Sequence, residues 1–309
     1  MPTALFCSEY HDPEAWAPLL KQHVPGLDLR VWPEAGDEAD IDILLTWTPP
    51  PDWQRRFPRL RLIHLLAAGV DHLVGQPFPD GVLLARVSEA RQISGLCDYV
   101  LGGVLHFHRE MHRYRDDQAR KVWRPRTPVE PRQRVVGIMG LGTFGAVCAG
   151  RIAGSGFATR GWSRTAKEIE GVETFHGEDG LKAFLNGCDI VVCMLPLTPQ
   201  TKGILDRRLF AMLPRDACII NVGRGGHCVD ADLVAALEQG RLGGALIDVT
   251  EPEPLPPDHP FWTAPNLILT PHIGTRVNTE NAVRDVAENI LRLGRGETLH
   301  NLVDRARGY

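Results

Sequence analysis

Apolar and polar positions follow one another along this chain in two successive rhythms. Residues 4–7, 27–31, 43–47, 62–66 and 82–85 are short apolar runs with few polar interruptions, separated by helical or loop segments. Such runs predict strands buried on both faces of a parallel sheet, because a half-exposed strand would alternate polar and apolar residues. From about Ser88 the period changes. Leu96, Val100, Val104, Phe107 and Met111 recur at helical spacing and form one apolar stripe. Residues 109–126 are polar and basic, and Pro125, Pro128 and Pro131 mark 124–131 as a connection into a second unit.

That unit begins at Arg134. Residues 135–139, 157–161, 190–195, 218–222, 245–249 and 267–270 predict six strands alternating with helices, which points to a doubly wound sheet. The clearest intervening helix is 230–239, with Asp230 as its N-cap and Gly240 placed to end it. A last helix over about 278–293 carries Val283, Val286, Ile290 and Leu293 on one face, with Gly294 after it. It follows the second sheet and is free to return to the first. No short-period repeat or low-complexity tract interrupts the pattern.

Composition narrows the class. The chain has 309 residues, long for a single domain. Hydrophobic residues make up 43% and charged residues 23%, values of an ordinary globular protein that exclude a disordered chain. A formal net charge of −4 offers no general attraction to nucleic-acid phosphates or anionic lipid. The seven cysteines form no C-x-x-C pair, and several, such as Cys193, lie inside apolar runs. They are expected to be reduced thiols of a cytoplasmic protein. The first residues lack the basic segment of a signal peptide, and no apolar stretch approaches the roughly 20 residues of a membrane span.

The chemistry concentrates in the second unit. A strand ending at Met139 runs into Gly140-Leu141-Gly142-Thr143-Phe144-Gly145 and then into a helix. In this G-x-G-x-x-G pattern Gly140 permits the tight turn, Gly142 lets backbone approach a pyrophosphate, and Gly145 lets helix and strand pack closely. An NAD site usually places an acid about 20 residues further on, against the ribose 2′-hydroxyl. Here the equivalent turn reads Trp162-Ser163-Arg164-Thr165, with no acid before Glu168. Arg164 can pair with a 2′-phosphate while Ser163 and Thr165 donate hydrogen bonds, so NADP is expected ahead of NAD.

Three later segments each begin just after an apolar strand. Residues 221–226 carry Arg224, residues 248–256 carry Asp248, Glu251 and Glu253, and residues 270–274 carry His272 and Gly274. All are expected at the carboxyl edge of one sheet, where open α/β sheets hold their ligands. Guanidinium, carboxylate and imidazole suit the reduction of a 2-keto acid, in which hydride reaches carbon and negative charge develops on oxygen. Arg224 can stabilise that charge while binding the carboxylate, and His272 can deliver the proton. A neighbouring carboxylate favours the protonated imidazole. Residue types alone leave both Glu251 and Glu253 open for that part.

Taken in this order, the segments resemble the D-isomer-specific 2-hydroxyacid dehydrogenase family. The resemblance also takes in residues 67–72 and 194–203 and covers nearly the whole chain. Within the family the chain is most similar to the glyoxylate/hydroxypyruvate reductase A type, through residues 45–50, the turn at Trp162, Ser163 and Arg164, and residues 254–257. The resemblance implies a Rossmann-type doubly wound domain, 101–276, inserted in a smaller flavodoxin-like α/β substrate domain, 1–100 and 277–309. It implies NADPH-dependent reduction of a small 2-keto acid by a homodimer that uses no metal. Arg224 would grip the carboxylate, His272 would be the general acid, and Glu253 would hold its ring. Backbone amides of Ala68, Gly69 and Val70 would meet the carboxylate, and Trp47 would wall the substrate pocket. Leu195, Pro196, Thr201, Val222, Gly223, Asp248 and Gly274 would join the glycine loop and the 162–165 turn around the cofactor.

Two positions depart from the family pattern: Arg276 follows the His272 segment where a small residue is frequent, and Asp98 stands where many members have Glu. An extra cation at 276 would favour a second acidic group on the substrate. The competing expectation is a nucleotide-sensing, corepressor-like binding protein on the same fold, with little turnover. A metal-dependent hydrolase built on Asp258, His259 and His272 lacks recognisable ligand spacing.

Overall fold

The computed structural model describes residues 2–67, 69, 70, 73, 76–87, 89–275 and 278–304. Two compact units emerge, Met1–Gln92 with Arg276–Tyr309, and Ile93–Thr275. The first carries β1 (Thr3–Cys7), α1 (Pro13–His23), β2 (Asp28–Val31), β3 (Ile43–Thr46), α2 (Trp53–Arg56), β4 (Leu62–Leu65) and β5 (Leu83–Arg86). Its sheet has the order β2-β1-β3-β4-β5 with every neighbouring pair parallel. That is the flavodoxin-like 2-1-3-4-5 arrangement. Both faces are buried, which explains the unbroken apolar runs. Ala4 and Phe6 of β1 pack on one side with Ile43 and Leu45, while Leu5 packs on the other with Leu44 and Ile63.

The chain passes into the second unit inside α3 (Glu89–His108). Leu96, Val100, Val104 and Phe107 are buried as the stripe predicts, but Met111 is 50% exposed. The helix stops at His108, Glu110 turns into the left-handed region at φ 53°, and α4 (Met111–Ala119) sets off afresh. Ser88, the expected start, lies outside the described residues.

The second unit continues with β6 (Val135–Met139), α5 (Thr143–Gly154), β7 (Ala158–Ser163), β8 (Val172–His176), α6 (Gly177–Leu185), β9 (Ile190–Cys193), α7 (Arg207–Met212), β10 (Ala217–Asn221), α8 (Asp230–Glu238), β11 (Leu242–Ile247) and β12 (Leu267–Leu269). The sheet order is β12-β11-β10-β9-β6-β7-β8, again wholly parallel, so it has seven strands where six are expected. The extra strand, β8, is an edge strand whose one neighbour in the sheet order is β7. As an edge strand it remains partly exposed along its length and needs no apolar run. Counted from β6, this is the Rossmann order, and its strand order reverses between β6 and β9.

Two helix ends differ from expectation. Val229 caps α8, and Asp230 is its first helical residue, directed instead to His259 Nε2 at 3.3 Å. The last helix, α9 (Thr279–Arg295), runs past Gly294 and ends at Gly296, which takes the left-handed conformation at φ 69°. Its buried face, including Val283, Val286 and Ile290, packs with Trp16 and Leu20 of α1 in the first unit's core. Among the described residues no helix is long and apolar enough to cross a membrane.

Candidate active site

All strands of the second sheet run the same way, so the loops after β6, β9, β10, β11 and β12 leave one carboxyl edge. After β6 the chain turns at Gly140, with φ 103°. A Cβ on Gly145 would stand 1.8 Å from the Gly140 carbonyl oxygen, so only glycine lets α5 begin this close to the strand. Gly142 has the opposite surroundings: nothing lies within 4 Å of its Cβ position. It and Thr143 are exposed at the N-terminus of the 12-residue α5, and Phe144 is half-buried. The Leu141 side chain is buried under Gly161, which leaves its backbone for any outward role.

The turn after β7 is internally bonded. The Ser163 hydroxyl donates to the Thr165 carbonyl at 2.7 Å and so shapes the turn. Trp162 is buried in the core and donates its indole N–H to the Gly177 carbonyl at 2.8 Å, supporting the turn from beneath. Arg164 and Thr165 are exposed, and Arg164 forms no ion pair with any described residue. An unengaged guanidinium, no carboxylate before Glu168 and an open glycine loop fit a dinucleotide with a 2′-phosphate.

The three chemical side chains rise from neighbouring strand ends. Arg224 follows β10, Glu253 lies in the loop after β11, and His272 follows β12. His272 Nδ1 is 2.8 Å from Glu253 Oε2, which decides between the two glutamates in favour of Glu253 for the ring contact. The other oxygen of Glu253 accepts the Thr250 N–H at 3.0 Å. Burial opposes ionisation of Glu253, but those hydrogen bonds and the positive field of His272 and Arg224 outweigh it and hold its pKa below the ordinary carboxylate value. The ring is therefore oriented by an anion, and Nε2 has no hydrogen-bond partner among the described residues.

Around this set lies a polar frame that sequence reasoning largely missed. His272 adopts φ 53° and donates its N–H to the Asp248 carbonyl at 2.8 Å. The buried Asp248 carboxylate accepts from the Thr270 hydroxyl (2.7 Å), the Ile273 N–H (2.8 Å) and the Gly274 N–H (2.8 Å). Asp248 thereby ties the His272 loop to the end of β11. Tyr99 reaches the Thr270 hydroxyl from α3, and burial pushes its phenol pKa upward. Beneath Arg224, Asn221 and His227 bond its backbone. Gly225 lets this loop touch the next: a Cβ there would lie 2.1 Å from the Thr250 carbonyl carbon.

The remaining predicted residues are placed as follows. Leu195 and Val222 are buried, and Pro196 is exposed. The Thr201 hydroxyl donates to the Pro196 carbonyl at 2.7 Å and closes that loop on itself. Gly223 abuts the His227 ring, and its N–H donates to Asn221 Oδ1 at 3.2 Å. In the first unit Trp47 is half-buried just past β3 and Gly69 half-buried past β4. The Val70 side chain belongs to the core. Ala68 and Arg276 lie outside the described residues. Among the described residues no group of three or more His, Cys, Asp or Glu side chains is placed to hold a metal.

Residues 101–274 match the family model described as D-isomer specific 2-hydroxyacid dehydrogenase, NAD binding domain. The chain is 37% identical over 311 aligned positions to a glyoxylate/hydroxypyruvate reductase A of Serratia proteamaculans, covering 99% of each chain. Among solved structures it resembles a D-isomer specific 2-hydroxyacid dehydrogenase of Xanthobacter autotrophicus Py2 in complex with NADPH and MES. That pair has a TM-score of 0.87 and 39% identity over 100% of this chain and 99% of the other. An NADPH-dependent glyoxylate/hydroxypyruvate reductase of Sinorhizobium meliloti, in complex with NADP and sulfate, gives a TM-score of 0.88 and 35% identity over the whole of both chains.

Proposed function

Because the chain belongs to the D-isomer-specific 2-hydroxyacid dehydrogenase family, we propose that it uses NADPH to reduce glyoxylate, hydroxypyruvate or a similar small 2-keto acid to the 2-hydroxy acid, of D configuration where the product is chiral. The observation that carries this is the His272 ring held by Glu253 at 2.8 Å on the sheet edge that also presents Arg224. Relatives named for this reaction, and two solved with NADP or NADPH, support it. When bound, the cofactor supplies the hydride.

Arg224 pairs with the substrate carboxylate and offers positive charge to the keto oxygen. That interaction strengthens as the oxygen becomes an alkoxide, so it favours the transition state over the ground state. His272, with Nδ1 engaged by Glu253, presents Nε2 as the proton donor to that oxygen. Gly140, Gly142, Gly145 and the start of α5 receive the pyrophosphate, and Arg164 with Thr165 receives the 2′-phosphate. The exposed Leu105 (43%), Met111 (50%) and Trp123 (99%) support a homodimer, which light scattering checks.

The deciding experiment is a panel of 2-keto acids assayed with purified protein, with NADPH and NADH oxidation followed at 340 nm. Turnover of short keto acids with NADPH is expected. Failure to oxidise either cofactor with every member of the panel would overturn the proposal.

A further inference from the structure

We infer that His227 is a positioning residue for Arg224, its buried ring setting the backbone that aims the guanidinium. The inference rests on the function proposed above. His227 is wholly buried, three residues beyond Arg224 in the turn Gly225–His227. Its Nδ1 lies 2.9 Å from the Arg224 amide nitrogen and 3.1 Å from the Arg224 carbonyl oxygen, and in the tautomer with the proton on Nε2 it accepts the Arg224 N–H. The carbonyl of the same residue accepts a hydrogen bond from Asn221 Nδ2 at 3.1 Å. The Arg224 N–H is thus taken by a side chain, while its carbonyl accepts both the Asn221 amide and, at 3.2 Å, the His227 N–H of the turn.

The packing fixes the geometry further. A Cβ at Gly223 would come within 2.9 Å of His227 Nδ1 and 3.0 Å of Cε1, so the ring lies directly against the Gly223 backbone. Arg224 itself is extended, at φ −143° and ψ 155°, and its Nη1 donates to the Gly223 carbonyl at 2.7 Å. The guanidinium is therefore anchored to a carbonyl whose own position the ring sets. Filling space does not require an imidazole, since an apolar side chain would fill it without burying polar atoms. The ring supplies an acceptor at one point, for one N–H. Without it that N–H is left unpaired, and the peptide is free to turn and carry the guanidinium away from its aim.

The test compares His227→Leu with His227→Asn. The two side chains have similar reach, but only Asn places an acceptor oxygen where the ring has Nδ1. For the Leu variant, kcat/KM for glyoxylate is expected to fall about ten- to hundredfold, from the loss of a buried hydrogen bond, with KM for NADPH within about twofold of the parent. The Asn variant should recover most of the loss. Binding of oxalate to the protein–NADPH complex, measured by calorimetry, should weaken in parallel, and it reads the anion site even if no keto acid is turned over. An inactive parent whose oxalate affinity still separates Leu from Asn would refute the proposed reaction and leave the role of His227 standing. Equal behaviour of Leu and Asn variants, or an equal loss in NADPH affinity, would overturn that role. Should the Leu variant fail to fold, His227→Gln replaces it. Its amide oxygen is displaced by one methylene, and it must fall well below Asn for the inference to survive.

Discussion

His272 combines a left-handed backbone, an anionic partner on Nδ1 and a second ring nitrogen with no described partner. A residue so held is expected to act through that second nitrogen, and His272→Ala should lower kcat by roughly 10²–10⁴, the usual scale of general acid catalysis. KM for NADPH should move little, since nothing places the ring on the adenine or phosphate side. Turnover near the parent's would remove His272 from the chemistry. Arg164 poses a different question at the same scale. It is exposed and pairs with no described residue, so its worth lies in a ligand; one charge-assisted hydrogen bond contributes about 1.5–3 kcal/mol. The protein should prefer NADPH to NADH by roughly 10- to 100-fold in kcat/KM. Arg164→Ala should erase most of that preference through KM for NADPH, leaving NADH kinetics nearly unchanged. Equal efficiency of the parent with both cofactors would return Arg164 to the solvated surface.

Among the elements, α9 shows how unevenly stability is distributed along a helix. Its N-cap, Asn278, accepts the Glu280 N–H at 2.9 Å. Removing such a cap costs about 1 kcal/mol. Ile290, on the face packed with α1, is 1% exposed, and a large-to-small change there costs about 2–5 kcal/mol through lost burial and the cavity left behind. Ile290→Ala should therefore lower the urea midpoint clearly more than Asn278→Ala, with unchanged m-values. The reverse ranking would mean that α9 is held by its end rather than by its face. Helix α5, proposed to receive the phosphates, differs in kind, because its position depends on Gly145, where any side chain meets the Gly140 carbonyl.

For the molecule as a whole, buried histidines are expected to lower stability in acid. His64 on β4 accepts from Asn289 Nδ2 at 3.0 Å through Nε2, while its Nδ1 lies 2.9 Å from the Leu65 carbonyl. Asn289 also bonds both backbone groups of His300, so its amide cannot turn to offer an oxygen. A proton on Nε2 would face an N–H, and burial pushes the His64 pKa down to about 4 from 6.5. Between those values the unfolded chain binds a proton that the folded chain refuses. Stability from this group is thus present in full above pH 6.5 and falls as pH drops towards 4, by about 3 kcal/mol in all. His112, pushed down to about 4 chiefly by burial and then by Arg113, adds to the same slope. Urea midpoints measured from pH 7 to pH 4.5 should fall, and the fall should be shallower in His64→Gln, which keeps an acceptor without a titration. Parallel curves for parent and variant would place the acid sensitivity elsewhere.

Local rules suffice for much of this architecture. Runs such as 43–45 and Ile190–Cys193 are apolar throughout because each strand is covered on both faces, and that alone marks parallel sheets. The glycine loop is legible because close approach of backbone to backbone admits no other residue. The strand-end positions of Arg224, Glu253 and His272 are legible because loops after parallel strands share one edge. Tertiary structure decided the rest. Glu251 and Glu253 lie two residues apart in one loop; residue type does not separate them, the family resemblance favours Glu253, and the path of that loop brings Glu253 to His272. The Ser163 hydroxyl bonds the Thr165 carbonyl, a contact within the turn that residue types do not announce. Strand β8 hides because an edge needs no continuous apolar run. Asn221, His227 and Asp248 act through partners set by the convergence of β10, β11 and β12, and hydrogen bonds across such loops leave no periodic trace along the chain.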